Sequence, residues 1–210
     1  MVTATGISVL GQNKKSIAKE IRTELIRKSI HMTVALVPPC AAFIGRIPTL
    51  FLLAAGLIAY SFAEIRRAQG LRIPFITGLT AAAARPADFQ DRVILGPITL
   101  CAGVMACILI YSETAAAAAI YALAFGDSLS SIVGKSIGKI RLPGMTRKTL
   151  EGSLACFFAV FFITLRMSLP AYAAVLVALT AAALEAVPVK DLDNLILPLG
   201  SGLAASLFLL

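Results

Sequence analysis

Apolar residues run along this chain in long stretches, broken at intervals by clusters of charge, glycine and proline. Seven stretches stand out: Ile30 to Ile44, Thr49 to Ala63, Val93 to Tyr111, Thr114 to Phe125, Leu150 to Leu165, Ala171 to Ala186 and Leu195 to Leu210. A helix that crosses a bilayer takes about 20 mostly apolar residues, and fewer where a kink or a thinned bilayer helps. The first, second and fourth stretches are short, so their ends are the least defined. The predicted fold is all-α, a polytopic transmembrane helical bundle of about seven spans. Ahead of it, Lys14 to Ser29 predicts an interfacial amphipathic helix with Ile17, Ile21, Leu25 and the Lys28 methylenes toward lipid. Residues 1–29 thus form a tail and interfacial helix, and residues 30–210 a single transmembrane domain.

Basic residues orient the bundle, because cytoplasmic connections carry an excess of lysine and arginine. Six precede the first span (Lys14, Lys15, Lys19, Arg22, Arg27, Lys28). Five follow the second (Arg66, Arg67, Arg72, Arg85, Arg92) and five follow the fourth (Lys135, Lys139, Arg141, Arg147, Lys148), with Lys190 after the sixth. Only Arg46 and Arg166 fall on the opposite side. The N-terminus is therefore expected in the cytoplasm and the C-terminus outside.

Composition agrees: 59% of the residues are apolar and 14% charged, against roughly 45–50% and 25% in a soluble domain. Met1 to Gln12 holds no lysine or arginine and no apolar run leading to a cleavage site, so no secretory signal peptide is expected. Cys40, Cys101, Cys107 and Cys156 lie in apolar stretches without ligand spacing, which argues against zinc and disulfides. The net charge of +8 belongs to no soluble basic face interleaved with aromatics, so a membrane surface and anionic phosphates are the expected partners, not nucleic acid. No repeat of solenoid period is present; Ala81 to Ala84 and Ala115 to Ala119 are helix-favouring runs. The longest polar connection, Gly70 to Gln90, has room for a short interfacial helix.

Chemistry concentrates in residues 126–153, where basic residues, two carboxylates and several glycines lie between apolar spans. If the helix continues past Asp127, Gly126, Ser130, Gly134 and Gly138 form one stripe and Asp127, Ser131, Lys135 and Lys139 another. The small stripe lets a backbone, lipid or nucleotide approach closely. The polar stripe sets a carboxylate roughly 12 Å from ammonium groups, at about 1.5 Å per residue, which suits a metal-bound polyphosphate. A carboxylate at a membrane edge has to be paired or coordinating. Leu142, Pro143 and Gly144 break the helix, and Arg147 and Lys148 then precede a new helix N-terminus, an anion-favouring place. Juxtamembrane anchoring explains the basic residues equally well. Glu151 in that first turn complements the dipole, orders Lys148 or binds metal. Glu24, Arg27, Lys28 and His31 share one helical face, and Glu185, Lys190, Asp191, Asp193 and Asn194 crowd a late connection, where Asp193 could equally cap the last helix.

These residues resemble the dolichol, phytol and polyprenol kinase family of CTP-dependent lipid kinases, which is distantly similar to the phosphatidate cytidylyltransferases. The family pattern G-D-x-x-(A/S)-x-x-x-G-(K/R)-x-x-G-(K/R), followed by K-(S/T)-x-(E/A)-G-S, is matched by Gly126, Asp127, Ser130, Gly134, Lys135, Gly138 and Lys139, then Lys148, Thr149, Glu151, Gly152 and Ser153. An early E-x-x-R-K-x-x-H is Glu24, Arg27, Lys28 and His31; a late E…D-N-x-x-(V/L)-P-L is Glu185, Asp193, Asn194, Leu197, Pro198 and Leu199. The resemblance implies transfer of the γ-phosphoryl group of CTP, with Mg²⁺, to the hydroxyl of a membrane lipid alcohol of polyprenol, dolichol, phytol or diacylglycerol type. It implies Asp127 as metal ligand, Lys135, Lys139 and Lys148 on phosphates with Arg147 in support, and Glu151 ordering the loop. Gly126, Ser130, Ser131, Gly134, Gly138, Thr149 and Gly152 would shape the nucleotide site, and Asp193 with Asn194, or alternatively His31, would orient or deprotonate the alcohol. Glu24, Arg27, Lys28 and Glu185 support the site.

The chain departs from the family in places. Eukaryotic dolichol kinases are longer, and phytol kinases often carry alanine where Glu151 stands. No H-G-G or D-R-x-D of a cytidylyltransferase is found in the final third, although Lys190 and Asp191 resemble its late K-D. A small ion-coupled transporter with Asp127 and Glu185 as relay groups is a further alternative; it leaves the basic glycine loop unexplained. The acceptor, CTP over ATP, the general base and the oligomeric state stay open at this stage.

Overall fold

The computed structural model describes residues 21–71, 78, 80, 93–143, 148–187, 189 and 192–208. Most of the Gly70 to Gln90 connection, Arg147, and Lys190 with Asp191 lie outside the described residues, as do Lys14, Lys15, Ile17 and Lys19.

The chain folds as an antiparallel helical bundle. Helix α1 occupies residues 21–32 and leads through a 3₁₀ turn, Thr33–Leu36, into α2, Val37–Ile44. Pro38 and Pro39 account for the change of winding, since neither offers an N–H and each ring crowds the carbonyl four residues back. Gly45, at φ 94°, takes a left-handed conformation that reverses the chain into α3, Arg46–Ala68. Next come α4, Gly96–Ile110, and α5, Glu113–Tyr121. Helix α5 widens into a π-helical segment, Ala122–Asp127, and continues as α6, Ser128–Ser136. Helices α7, Leu150–Arg166, α8, Ala171–Ala186, and α9, Asp193–Ser206, complete the bundle.

Among the described residues two helical runs are long and apolar enough to cross a membrane, Arg46–Ala68 and Glu113–Ser136; Gly96–Ile110 and Ala171–Ala186 are shorter and apolar. The two long runs differ in place. Only 17% of the first is buried, and it presents Phe51, Leu52, Ile58 and Phe62 outward, whereas 61% of the second is buried at the centre of the bundle. Alanine makes that central position possible. Ala115, Ala116, Ala118 and Ala119 are buried and let α2 and α9 approach α5 closely.

Helix α9 packs against α4, α5 and α8. Within it Pro198 removes the N–H that would bond the Asn194 carbonyl, and that carbonyl lies against Gly103 of α4, where a β-carbon would collide with it. The Asn194 Nδ2 donates to Gly96 O and Thr99 Oγ1, each at 3.1 Å, fixing the start of α9 on α4. At the other end Arg46 donates to Ile108 O and, at 3.1 Å, to Tyr111 O, closing the C-terminus of α4. Tyr111 Oη donates to Leu199 O at 2.5 Å. A fully buried carboxylate not singled out in the sequence, Glu64, accepts from Arg67 Nε at 2.8 Å and from Ile94 N at 2.7 Å, tying α3 to the approach of α4.

Two sequence expectations change. The described part of the N-terminal helix is no separate interfacial element: it runs on into residues 33–44, Leu25 faces outward, and Lys28 is buried with its ammonium paired inside the bundle rather than its methylenes in lipid. Nor does the helix after Asp127 reach Lys139. It ends at Ser136, and Gly138 and Lys139 belong to the turn that follows.

Candidate active site

The π-helical segment delivers Asp127. A π turn takes in an extra residue and displaces the following side chains, and such turns recur at functional sites. Gly126 allows it here, because a β-carbon at that position would stand 3.0 Å from Cys156 Sγ and Val160 Cγ2 of α7. Asp127 is 3% exposed, and its Oδ2 accepts from Lys28 Nζ and lies 3.0 Å from His31 Nδ1, both on α1. With the proton on Nδ1 donated to the carboxylate, His31 Nε2 is left as an acceptor. Among the described residues that buried Nε2 has no hydrogen-bond partner, nor has the buried Ser128 Oγ next to Asp127. An unsatisfied buried polar atom costs about 1–3 kcal/mol, which marks both atoms as places where a ligand would be stabilising.

Around this centre Glu24, Lys135, Glu185 and Lys148 are paired internally. Glu24 accepts from Arg27 Nη2 at 2.6 Å and, through its other oxygen, pairs with Lys135. Glu185, 1% exposed on α8, pairs with Lys148 and accepts from Ser153 Oγ at 3.3 Å. Helix α1 therefore places Glu24, Lys28 and His31 against α6 and the π segment, while α8 supplies the carboxylate for the loop.

Residues 140–142 and 148–150 run back against one another. Arg141 and Thr149 are bridged, Leu142 N donates to Lys148 O at 3.1 Å, and Leu150 N donates to Ile140 O at 2.9 Å. Glu151 secures the turn by accepting from Lys139 N at 2.9 Å and Ile140 N at 3.2 Å. Thr149 caps α7, its Oγ1 accepting from Gly152 N at 3.2 Å. Two glycines of the stripe, Gly134 and Gly138, lie against this threonine together with Gly152. A β-carbon on Gly134 would meet Thr149 Oγ1 at 2.9 Å and one on Gly138 at 2.6 Å, while one on Gly152 would meet Ser130 O at 2.9 Å. What the small residues admit is the chain's own backbone. Lys135 and Lys139 are exposed, Ser131 is half-buried and Ser130 buried.

Asp193 and Asn194 separate in role. Asn194 is committed to α4, whereas Asp193 is half-buried and accepts only from its neighbour's N–H, at 3.0 Å, among the described contacts. Burial first, and the charge of Asp127 second, push the Asp193 carboxyl above its ordinary range, with Lys28, Lys148 and Arg27 opposing. Asp193 therefore belongs to the electrostatic neighbourhood of Asp127. Sequence reasoning missed Ser128, for which the only signal was its place directly after the aspartate. Among the described residues no cluster of three metal-ligating side chains is present. A lone buried carboxylate fits a cation of the Mg²⁺ type, which takes one or two protein carboxylates and completes its shell with water and substrate phosphates.

A stretch of 43 residues, 20% of this chain, is 54% identical to dolichol kinase of Saccharomyces cerevisiae. It covers 8% of the length of that protein. No family model matches the chain, and no solved structure matches it.

Proposed function

We propose that this chain is a CTP-dependent lipid kinase that transfers the γ-phosphoryl group to the hydroxyl of a membrane lipid alcohol. The observation that carries the reading is the buried Asp127, presented by a π turn between Lys28 and His31 and flanked by Lys135 and the Lys148 loop, in a chain with a stretch similar to dolichol kinase. The apolar outer face of α3 and the one-sided distribution of basic residues support a multi-pass membrane protein with this site toward the cytoplasm.

Phosphoryl transfer asks for positioning and charge neutralisation more than for covalent chemistry. Asp127 would hold Mg²⁺, which would supply charge neutralisation for the transferred phosphoryl group. Lys135 and Lys148 exchange their internal partners for the phosphates, which Lys139 and Arg147 also bind. Glu151 keeps the 137–143 turn in place for them, and Thr149 and Gly152 fix the start of α7. His31 Nε2 accepts the hydrogen bond of the acceptor hydroxyl. The alcohol oxygen bonds to the γ-phosphorus, the bond to the CDP oxygen breaks, and the hydroxyl proton passes to His31. CTP as donor rests on the family resemblance, as does the choice among polyprenol, dolichol, phytol and diacylglycerol acceptors.

The test is purified protein in lipid with Mg²⁺, labelled CTP and a panel of polyprenols, phytol, diacylglycerol and phosphatidate, with nucleotide and lipid products resolved. CDP and a lipid monophosphate support the kinase. Pyrophosphate and a CDP-lipid would make it a cytidylyltransferase, and no product with any acceptor would overturn both.

A further inference from the structure

Two contacts of the site have their other halves one helical turn apart on α1. Lys28 pairs with Asp127 and Glu24 pairs with Lys135, and Glu24 and Lys28 are each 2% exposed. On the functional reading above, these are the carboxylate that would hold the cation and one of the ammonium groups that would hold phosphate. A cation-loaded phosphate chain carries the same two charges in the same relation. Helix α1 thus supplies a positive group to Asp127 and a negative group to Lys135, as the ligand would.

We infer that the Glu24–Lys28 turn of α1 is an internal stand-in for the ligand, giving up its ion pairs with Asp127 and Lys135 when the cation and nucleotide bind, while His31 at the end of α1 stays in the site for the acceptor hydroxyl. The exchange strands no charge. Glu24 lies four residues before Lys28, the orientation in which glutamate and lysine pair favourably along a helix. When the cation takes Asp127 and a phosphate takes Lys135, the released Glu24 and Lys28 neutralise one another. Arg27 remains on Glu24, at 2.6 Å in the resting state. Ion pairs are conserved on both sides of the step, so the large penalty for leaving a buried charge alone is avoided throughout. Loading loosens α1 from α6 while the third internal pair, Lys148 with Glu185, involves α7 and α8 and leaves α1 untouched.

The inference rests on Asp127 and Lys135 being ligand groups, and the experiment separates its failure from theirs. Mg²⁺–CTP is titrated calorimetrically into wild-type protein and Lys28→Met in lipid nanodiscs without acceptor, and hydrogen exchange of residues 21–32 is followed in wild type with and without Mg²⁺–CTP. Removing the stand-in for the cation is expected to tighten Mg²⁺–CTP binding about tenfold, the order of a charged hydrogen bond no longer broken on loading. Exchange over residues 21–32 is expected to rise on loading. Weaker or unchanged binding by a folded Lys28→Met protein, or protection of residues 21–32 by the ligand, overturns the inference while leaving nucleotide binding intact. If Lys28→Met fails to fold, the exchange measurement on wild type decides. Wild-type protein that binds no Mg²⁺–CTP overturns the functional reading and this inference together.

Discussion

Asp127→Asn separates the structural from the chemical work of the buried carboxylate. The substitution keeps shape and an acceptor oxygen but removes the charge opposite Lys28, whose side chain is 3% exposed. Breaking a buried ion pair from one side costs about 3–5 kcal/mol, mostly through the charge left behind. His31 softens this, since its Nδ1, 3.0 Å away, still has an oxygen to donate to. The expected loss is therefore near the lower bound, about 3 kcal/mol. Lys28→Met in the same protein removes the stranded ammonium and replaces it with an apolar side chain of similar length. The double variant is expected to be more stable than Asp127→Asn alone, with a favourable coupling of about 2 kcal/mol. Phosphoryl transfer, by contrast, stays lost in both. The measurement is a double-mutant cycle by denaturant or thermal unfolding in a single detergent, with transfer of labelled phosphate to lipid assayed alongside. Additive effects of the two substitutions would refute the pairing, and full activity in Asp127→Asn would remove Asp127 from the metal role.

Gly138→Ala is expected to destabilise by about 1–3 kcal/mol through overpacking against Thr149, read by unfolding, whereas Gly56→Ala, with open space around it, should be close to neutral. Glu151→Ala frees the Lys139 and Ile140 N–H groups, so hydrogen exchange and proteolysis of the 137–143 turn should increase and Mg²⁺–CTP affinity fall, while melting of the bundle stays unchanged. Asp193→Asn gives a pH-dependent effect. A carboxyl pushed upward in the folded protein destabilises it once ionised, so the variant should melt higher than wild type near neutral pH, with the difference fading as pH falls from above the ordinary carboxylate range into it. Melting curves across that range check both sign and window.

The helices were legible where burial in apolar surroundings is the dominant demand. Ala171 to Ala186 has the same ends in sequence and structure, and Leu150 to Leu165 differs by one residue. Hydropathy cut the fourth run short at Phe125 because it registers what a side chain is, not what it is paired with. Beyond Phe125 the helix carries Asp127, Ser128 and Ser130 into a buried position, where Lys28 and His31 from 99 and 96 positions earlier in the chain satisfy the aspartate. The same blindness placed Lys28 toward lipid. Helical spacing did gather Glu24, Lys28 and His31 on one face, but nothing local shows which element that face meets. The glycine stripe was visible as a pattern, while what meets Gly134 and Gly138, the Thr149 side chain, required the return of residues 148–150 against 140–142.

The π-helical segment has a consequence for how this chain can vary. One residue in an α-helix corresponds to roughly 100° of rotation and about 1.5 Å of advance. Deleting any single residue from Ala122 to Gly126 would let the segment relax to ordinary winding with α6 kept near its present orientation, removing the bulge that presents Asp127 to Lys28 and His31. Side chains from Ala122 to Phe125 can drift in identity so long as they stay apolar, but the length of the segment is held. Insertions and deletions among descendants of this sequence should therefore gather in the 72–92 connection and be missing from residues 122–127, a signature that a comparison of gap positions can detect without any knowledge of the chemistry.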